Sequence, residues 1–91
     1  MEIKRDEYIF YIGDNKDKPK AFISFEDGKD NEIVVTHTVV DPELRGQGIA
    51  GKLVEEVIEF AKKENRKIIP ICSYVVDYFQ KHPEHEDLLA D

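Results

Sequence analysis

Apolar residues along this chain recur first at every second position and then at every third and fourth. The change of period falls at a glycine-rich stretch after residue 44. Before it, three segments read as strands. Tyr8–Ile12 is aromatic and β-branched and is closed by the turn signal Gly13-Asp14-Asn15. Ala21–Glu26 follows Pro19 and stops at Asp27-Gly28, a hairpin dipeptide. Glu32–Val40 is a long β-branched run. Short turns between such runs predict an antiparallel meander. After the glycines, Ile49, Ala50, Leu53, Val54, Val57, Ile58 and Ala61 form one helical stripe. Lys52, Glu55, Glu56, Glu59, Lys62 and Lys63 face the other way. This helix is expected to end near Asn65, which tolerates a left-handed backbone. Lys67–Cys72 reads as a short apolar strand of the kind buried in mid-sheet, with Pro70 predicting a splayed neighbour or a missing ladder bond. Ser73–Lys81 reads as a second helix carrying Val75, Val76 and Phe79 on one stripe. The charged tail from His82-Pro83 reads as a loop or a short turn at 87–89.

The resulting order, β-β-β-α-β-α, is that of an α+β (mixed α/β) domain: an antiparallel meander with one parallel, right-handed crossover between the third and fourth strands. Residues 1–91 are expected to form a single domain, without repeats or linkers. A hydrophobic fraction of 41% with four Tyr and five Phe predicts a packed core rather than disorder. Acidic residues outnumber basic ones by 20 to 13, for a formal charge of -7, which argues against nucleic acid as a partner. The single cysteine, Cys72, excludes an intrachain disulfide and argues against a zinc cluster. No apolar run follows the charged N-terminus and none is long enough to span a bilayer, so a cytoplasmic protein with no membrane partner is expected. Oligomeric state stays open: the edge of the first strand can pair with a second copy, and the net charge can keep copies apart.

The loop between the two periods carries the most chemistry. Gly46 and Gly48 allow several backbone N–H groups to point outward together. A helix start immediately behind them adds unpaired donors and the positive end of a dipole. That combination cradles phosphate or pyrophosphate, and Arg45 at the head of the loop adds a guanidinium that pairs with phosphate oxygens. The loop lacks the Gly-Lys-Ser/Thr ending of a P-loop and does not follow a first strand as G-x-G-x-x-G, so nucleotide hydrolysis and dinucleotide binding are weak readings.

Arg45-Gly46-Gln47-Gly48-Ile49-Ala50 fits [Q/R]-x-x-G-x-[G/A] and resembles the acyl-coenzyme A pyrophosphate loop of the GNAT superfamily of acyltransferases. The resemblance runs over roughly residues 33–81, including the strand end and turn Val39–Leu44. Standard members are longer; Thr36-His37-Thr38, the glycine loop and Cys72-Ser73-Tyr74 together resemble the small GNAT-like acetyl-coenzyme A-binding branch, a truncated version of the fold. The resemblance implies acetyl-CoA as donor and an amine, small molecule or protein lysine, as acceptor. It implies that Arg45, Gly46, Gln47, Gly48, Ile49 and Ala50 hold the pyrophosphate. It also implies that Val39 and Val40 bind the pantetheine arm through their main chain, between strands that splay apart. In the family a tyrosine on the helix after the parallel pair acts as general acid, but here Phe79 occupies its place and Tyr78 is one position off.

Two residues are candidates for chemistry. Cys72 lies between the apolar strand and the second helix, where a helix N-terminus favours thiolate, and it can accept the acetyl group covalently. As a plain packing residue it is equally well explained, because cysteine is often buried. His37 sits mid-strand, expected on the face opposite Thr36 and Thr38, and can act as general base near neutral pH; a structural histidine is the other reading. Tyr74 and Tyr78 read as rings packed on the sheet with wet hydroxyls. His82 and His85 near Glu84, Glu86 and Asp87 read as a solvated terminus, so no metal is assigned. Two functions of different classes follow: an N-acetyltransferase, or a coenzyme A-binding module without turnover that serves a partner protein. An interaction domain without ligand is a third.

Overall fold

The computed structural model describes residues 2–90. Strands β1 (Lys4–Asp6), β2 (Ile9–Ile12), β3 (Ala21–Asp27), β4 (Glu32–Val40) and β5 (Lys67–Pro70) form one sheet in the order β1-β2-β3-β4-β5. The first four pair antiparallel and β4 pairs parallel with β5, as the crossover predicts. Helix α1 (Ile49–Glu64) makes that crossover and α2 (Ser73–Lys81) follows β5. The mixed α+β architecture is therefore the one expected, with an additional strand at its start.

That added strand, β1, has no apolar pattern to betray it. Its three residues are Lys4, Arg5 and Asp6, held by pairing with Tyr11, Phe10 and Ile9. Arg5 shares the core face with Phe10 and lays its guanidinium over Phe60, 4.2 Å from the ring centre, so a cation caps the aromatic end of the core. The edge of the first predicted strand is consequently not free. A short charged strand covers it, a common way to blunt a sheet edge.

One face of the sheet packs on α1. Phe10, Ile12, Ala21, Ile23, Phe25, Ile33 and Val35 are buried there against Ile49, Leu53, Val54, Val57, Ile58 and Ala61 of the helix. Leu53, fully buried, contributes about 2 kcal/mol by removal from water. The helix ends as its sequence predicts: Asn65 is left-handed (φ 56°, ψ 45°) and its N–H returns to the carbonyls of Ala61 and Lys62. The next residue, Arg66, donates to Asp27 Oδ1 at 2.7 Å and to the carbonyl of Glu32 at 3.0 Å, tying the helix end to the β3–β4 hairpin. The Arg66 and Tyr8 hydrogen bonds hold the Asp27 carboxyl below its usual range. We expect Arg66→Ala to lower stability by about 1–2 kcal/mol in urea unfolding, because the Glu32 carbonyl loses a charged donor. An unchanged midpoint would show that the tie carries no net stability.

β5 differs from its expected place. It is an edge strand, ending at Pro70 rather than Cys72, and among the described residues a single bridge from Ile68 to Leu89 lies beyond it. Lys67 N donates to Asn31 O and Ile71 N to Val35 O, so alternate residues face β4 and the nitrogen of Pro70 faces outward. Pro70 therefore costs no ladder bond to β4. The other half of the expectation holds: pairing with β5 stops at Val35–Pro70, while β4 continues to Val40 paired with β3 alone. The tail forms a 3-10 helix, Pro83–Leu88, longer than the expected turn at 87–89. Among the described residues no helix is long and apolar enough to cross a membrane.

Candidate functional site

The splay opens a cleft of about 530 Å³ between the end of β4, the glycine loop and the start of α2. It is lined by Thr38, Val39 and Val40, by Arg45, Gly46 and Gly48, and by Tyr74 on the far wall. Local chemistry builds each wall. Asp41 accepts the N–H of Glu43 at 2.9 Å and, with Pro42, starts a 3-10 turn, Pro42–Leu44, whose Leu44 is buried. The chain then passes through Gly46 (φ 83°) and Gly48 (φ 72°), conformations that side-chain-bearing residues rarely adopt.

Gly48 is the N-cap of α1, with no side-chain cap and no acidic residue in the first turn. The first helical bond runs from Lys52 N to Gly48 O, so the preceding N–H groups of Ile49, Ala50 and Gly51 lack helical partners. A Cβ built at Gly46 or Gly48 would meet no atom within 4 Å. These glycines are thus required by backbone conformation, in front of open space bordered by unpaired donors. An anion of the size of a pyrophosphate fits that setting. Ile49 is buried and anchors the loop to the core, leaving its N–H as the contribution to the cleft. Gln47 is exposed at the tip and Ala50 is half-buried. Arg45, exposed, rests its Nε 3.4 Å from the Val40 carbonyl.

A β-bulge decides which β4 side chains reach the cleft. The register slips between Ser24 and Phe25, so Phe25 faces Val35 while Ser24 faces His37. Thr36 is the extra residue, with its Oγ1 2.9 Å from Ser24 Oγ. Thr36 and His37 therefore share the face turned away from α1, in place of the strict alternation that would set His37 opposite both threonines. Thr38 pairs with buried Ile23 and Val40 with buried Ala21, and these two face the helices. Asp41 N is bonded to Lys20 O. Alternation from that bond turns the main-chain groups of Thr38 and Val40 into the splay, whereas Val39 lends the cleft its side chain and edge.

Cys72 is half-buried and is the N-cap of α2. Its thiol lies 3.6 Å from Thr38 Oγ1, directly across the splay. Burial pushes the thiol upward, but the Thr38 hydroxyl and the backbone around Tyr74 and Val75 pull further the other way, so the net shift is downward. The structure thus joins Cys72 to Thr38, and sets exposed His37 on the opposite face of β4. Thr38 and Tyr74 are the site residues that the sequence reading passed over as chemistry. Thr38 was visible only as part of the Thr-His-Thr motif. Tyr74 reaches the cleft across Gly51, where even a Cβ would make only an ordinary contact, 3.8 Å from the phenol oxygen. Burial and the charge of Asp77 keep that phenol above its ordinary pKa, hence protonated. His82 does not stand free in the tail; it stacks on Tyr78 at 4.0 Å and its Nδ1 meets the Tyr78 carbonyl at 2.8 Å.

Comparison with known proteins agrees with this geometry. A curated N-acetyltransferase of Methanocaldococcus jannaschii, itself uncharacterized, is 33% identical over 75 residues, which are 76% of this chain and 33% of that protein. The chain therefore spans about a third of the length of that relative. The solution structure of a GCN5-like protein from Staphylococcus aureus superposes with a TM-score of 0.83 at 39% identity, covering 98% of this chain and 87% of that one. The crystal structure of Tetrahymena GCN5 shares the fold, with a TM-score of 0.63 at 21% identity over 80% of this chain and 48% of that one. A family model described as GCN5-related N-acetyl-transferase matches residues 9–88. Nearly the whole described sheet and both helices lie within that match, and the chain belongs to the GCN5-related N-acetyltransferase family.

Proposed function

We propose that the protein binds acetyl-CoA in the splay and transfers the acetyl group to an amine. The observation that carries this reading is the left-handed Gly46–Gly48 loop, which sets unpaired N–H groups of α1 beside Arg45 in a cleft also lined by Thr38, whose hydroxyl lies 3.6 Å from the Cys72 thiol. Arg45 and the main chain of residues 46–50 hold the pyrophosphate. The pantetheine arm runs along the part of β4 that β5 leaves uncovered, bonded by main-chain groups of Thr38 and Val40, while the main chain of Val39 is turned to β3. A donor N–H there also faces the thioester oxygen and stabilises the charge that develops on it.

The Cys72 thiolate attacks the thioester carbon, and the coenzyme A thiolate departs and takes up a proton. The amine then attacks the acetyl-cysteine thioester, loses a proton to His37 or water, and releases Cys72 as thiolate. Thr38 holds the thiolate by hydrogen bond. His37 stands on the outer face, as base for an amine arriving from that side. A free thiol in the site suits a reducing compartment such as the cytoplasm.

Titrating acetyl-CoA into labelled protein is expected to move the amides of Gly46, Gly48 and Ala50. Coenzyme A release with an amine panel then separates transfer from the alternative, a binding module without turnover. Unmoved loop amides would end both readings in favour of an interaction domain without ligand.

A further inference from the structure

The face of the sheet turned away from α1 has nothing packed on it among the described residues, and it carries apolar rows set among the charged residues Lys4, Asp6, Glu26, Glu32 and Lys67. Directly paired residues share a face, so Tyr11, Phe22 and Val39 form one cross-strand row, and Val34 and Ile69 another. All five are half-buried or exposed, with Val39 48% exposed. Ile71, 62% exposed, continues this surface at the mouth of the splay. Between the rows lie Ser24, Thr36 and His37, turned to this side by the bulge. On a sheet face that only meets water, the Tyr11–Phe22–Val39 row would be polar as well.

We infer that this face is the docking surface for the acceptor, and that the acceptor is a polypeptide presenting a lysine flanked by apolar residues. The inference rests on the acetyl-transfer reading above and names its acceptor class. Val39 belongs both to the open face and to the cleft lining, so the two surfaces are continuous. His37 is the titratable side chain set centrally on it, beside the path of an incoming amine. A small polyamine needs a concavity with converging carboxylates. This face is flat, its Asp6 carboxylate is already answered by Lys16 at 3.1 Å, and its Glu26 and Glu32 lie toward the end of β4 remote from Val39 and the cleft. A net charge of -7 draws a basic partner at long range, and the apolar rows hold it at short range.

A second copy fits less well. Five strands spaced by about 4.8 Å, over about five residues of about 3.4 Å, give a flat footprint on the order of 400 Å². That is about half of the ~800 Å² per partner of a standard stable interface. Such an area suits a brief substrate encounter, and two copies of this charge repel.

The test uses the whole chain and three probes: a ten-residue peptide with one central lysine flanked by leucines, the same peptide with serines for the leucines, and spermidine. Peptide binding is read by NMR shifts in the presence of coenzyme A, and transfer by acetylation from acetyl-CoA. The leucine peptide is expected to shift Phe22, Val34 and Ile71, and to half-saturate at a concentration at least tenfold below that of the serine peptide. Phe22→Lys and Ile71→Lys, with acetyl-CoA binding unchanged, are expected to raise KM for the leucine peptide at least tenfold and to leave that for spermidine unaltered. Exposed Ile71 keeps the test informative if Phe22→Lys unfolds the protein. Spermidine saturating below both peptides, or the Ile71 variant behaving as wild type, overturns the inference. So does a dimer in sedimentation that Ile71→Lys dissolves, which assigns the face to a second copy. If acetyl-CoA leaves Gly46 and Gly48 unmoved, the donor reading fails by itself, and the peptide shifts at Phe22 and Ile71 still decide the docking surface.

Discussion

Replacing Gly48 by valine is expected to weaken acetyl-CoA binding by 100-fold or more while leaving the protein folded. Gly48 has φ 72° and ψ 18° at the N-cap of α1. An L-residue in the left-handed region costs roughly 1–2 kcal/mol, and a β-branched one more. Relieving that strain means turning the peptide and scattering the N–H groups that the loop aims together. Loss of two hydrogen bonds to charged phosphate oxygens, at about 1.5–3 kcal/mol each, amounts to about 3–6 kcal/mol. At 1.4 kcal/mol per decade this is at least 100-fold in affinity. Packing does not oppose the change, since a Cβ there meets no atom within 4 Å, so the helix and core survive. Calorimetric titration reads the loss, with Gly48→Ala expected to fall between. An affinity within threefold of wild type would remove the glycine loop from the binding site.

Cys72→Ala is expected to abolish acetyl transfer, by at least 100-fold in kcat, without loss of acetyl-CoA affinity. The side chain is half-buried and makes one hydrogen bond, so its removal disturbs little else. Intact-mass spectrometry of wild type after mixing with acetyl-CoA should show one added acetyl group, located on Cys72. Full turnover by the alanine variant would require direct transfer to the amine instead.

The thiol's titration gives a second reading of the same site. Burial raises its pKa, and the Thr38 hydroxyl with the backbone at Val75 and Tyr74 lowers it by more. Thr38→Val removes a hydrogen bond to the thiolate worth about 1.5 kcal/mol, so iodoacetamide should modify Cys72 about tenfold more slowly at pH 7. The sign for stability follows from the same shift. A thiol whose pKa is lower in the folded state stabilises the fold above its unfolded pKa, and that contribution is lost as pH falls through the folded value. Alkylation, not unfolding, is therefore the sensitive measurement near neutral pH.

Much of this site was readable along the chain because its causes are local. A glycine is needed wherever φ must be positive, and Gly46, Gly48 and the left-handed Asn65 all mark such points. The helical stripe from Ile49 to Ala61 exposes its period directly, since each buried residue answers to the same core. Pro70 likewise announced irregular pairing, and the pairing of β4 with β5 does stop there. The three residues of β1 escaped notice because a charged strand satisfied by its neighbour needs no apolar signature. The central place expected for β5 failed for a related reason. Ile68 is apolar because helices and tail cover it, and an apolar residue does not say whether strands or helices do the covering.

What the order of residues determined by itself is the class of fold, the left-handed glycine loop before α1 and the family, each written in short-range patterns of period, turn and spacing. What the tertiary structure alone decided is which side of β4 each side chain takes. One extra residue, Thr36, is accommodated as a bulge because Ser24 accepts a second partner, and a bulge reverses alternation for everything after it. That slip sends Thr38 to Cys72 and His37 to the open face. No pattern within β4 encodes it, because the slip belongs to the pairing of two strands.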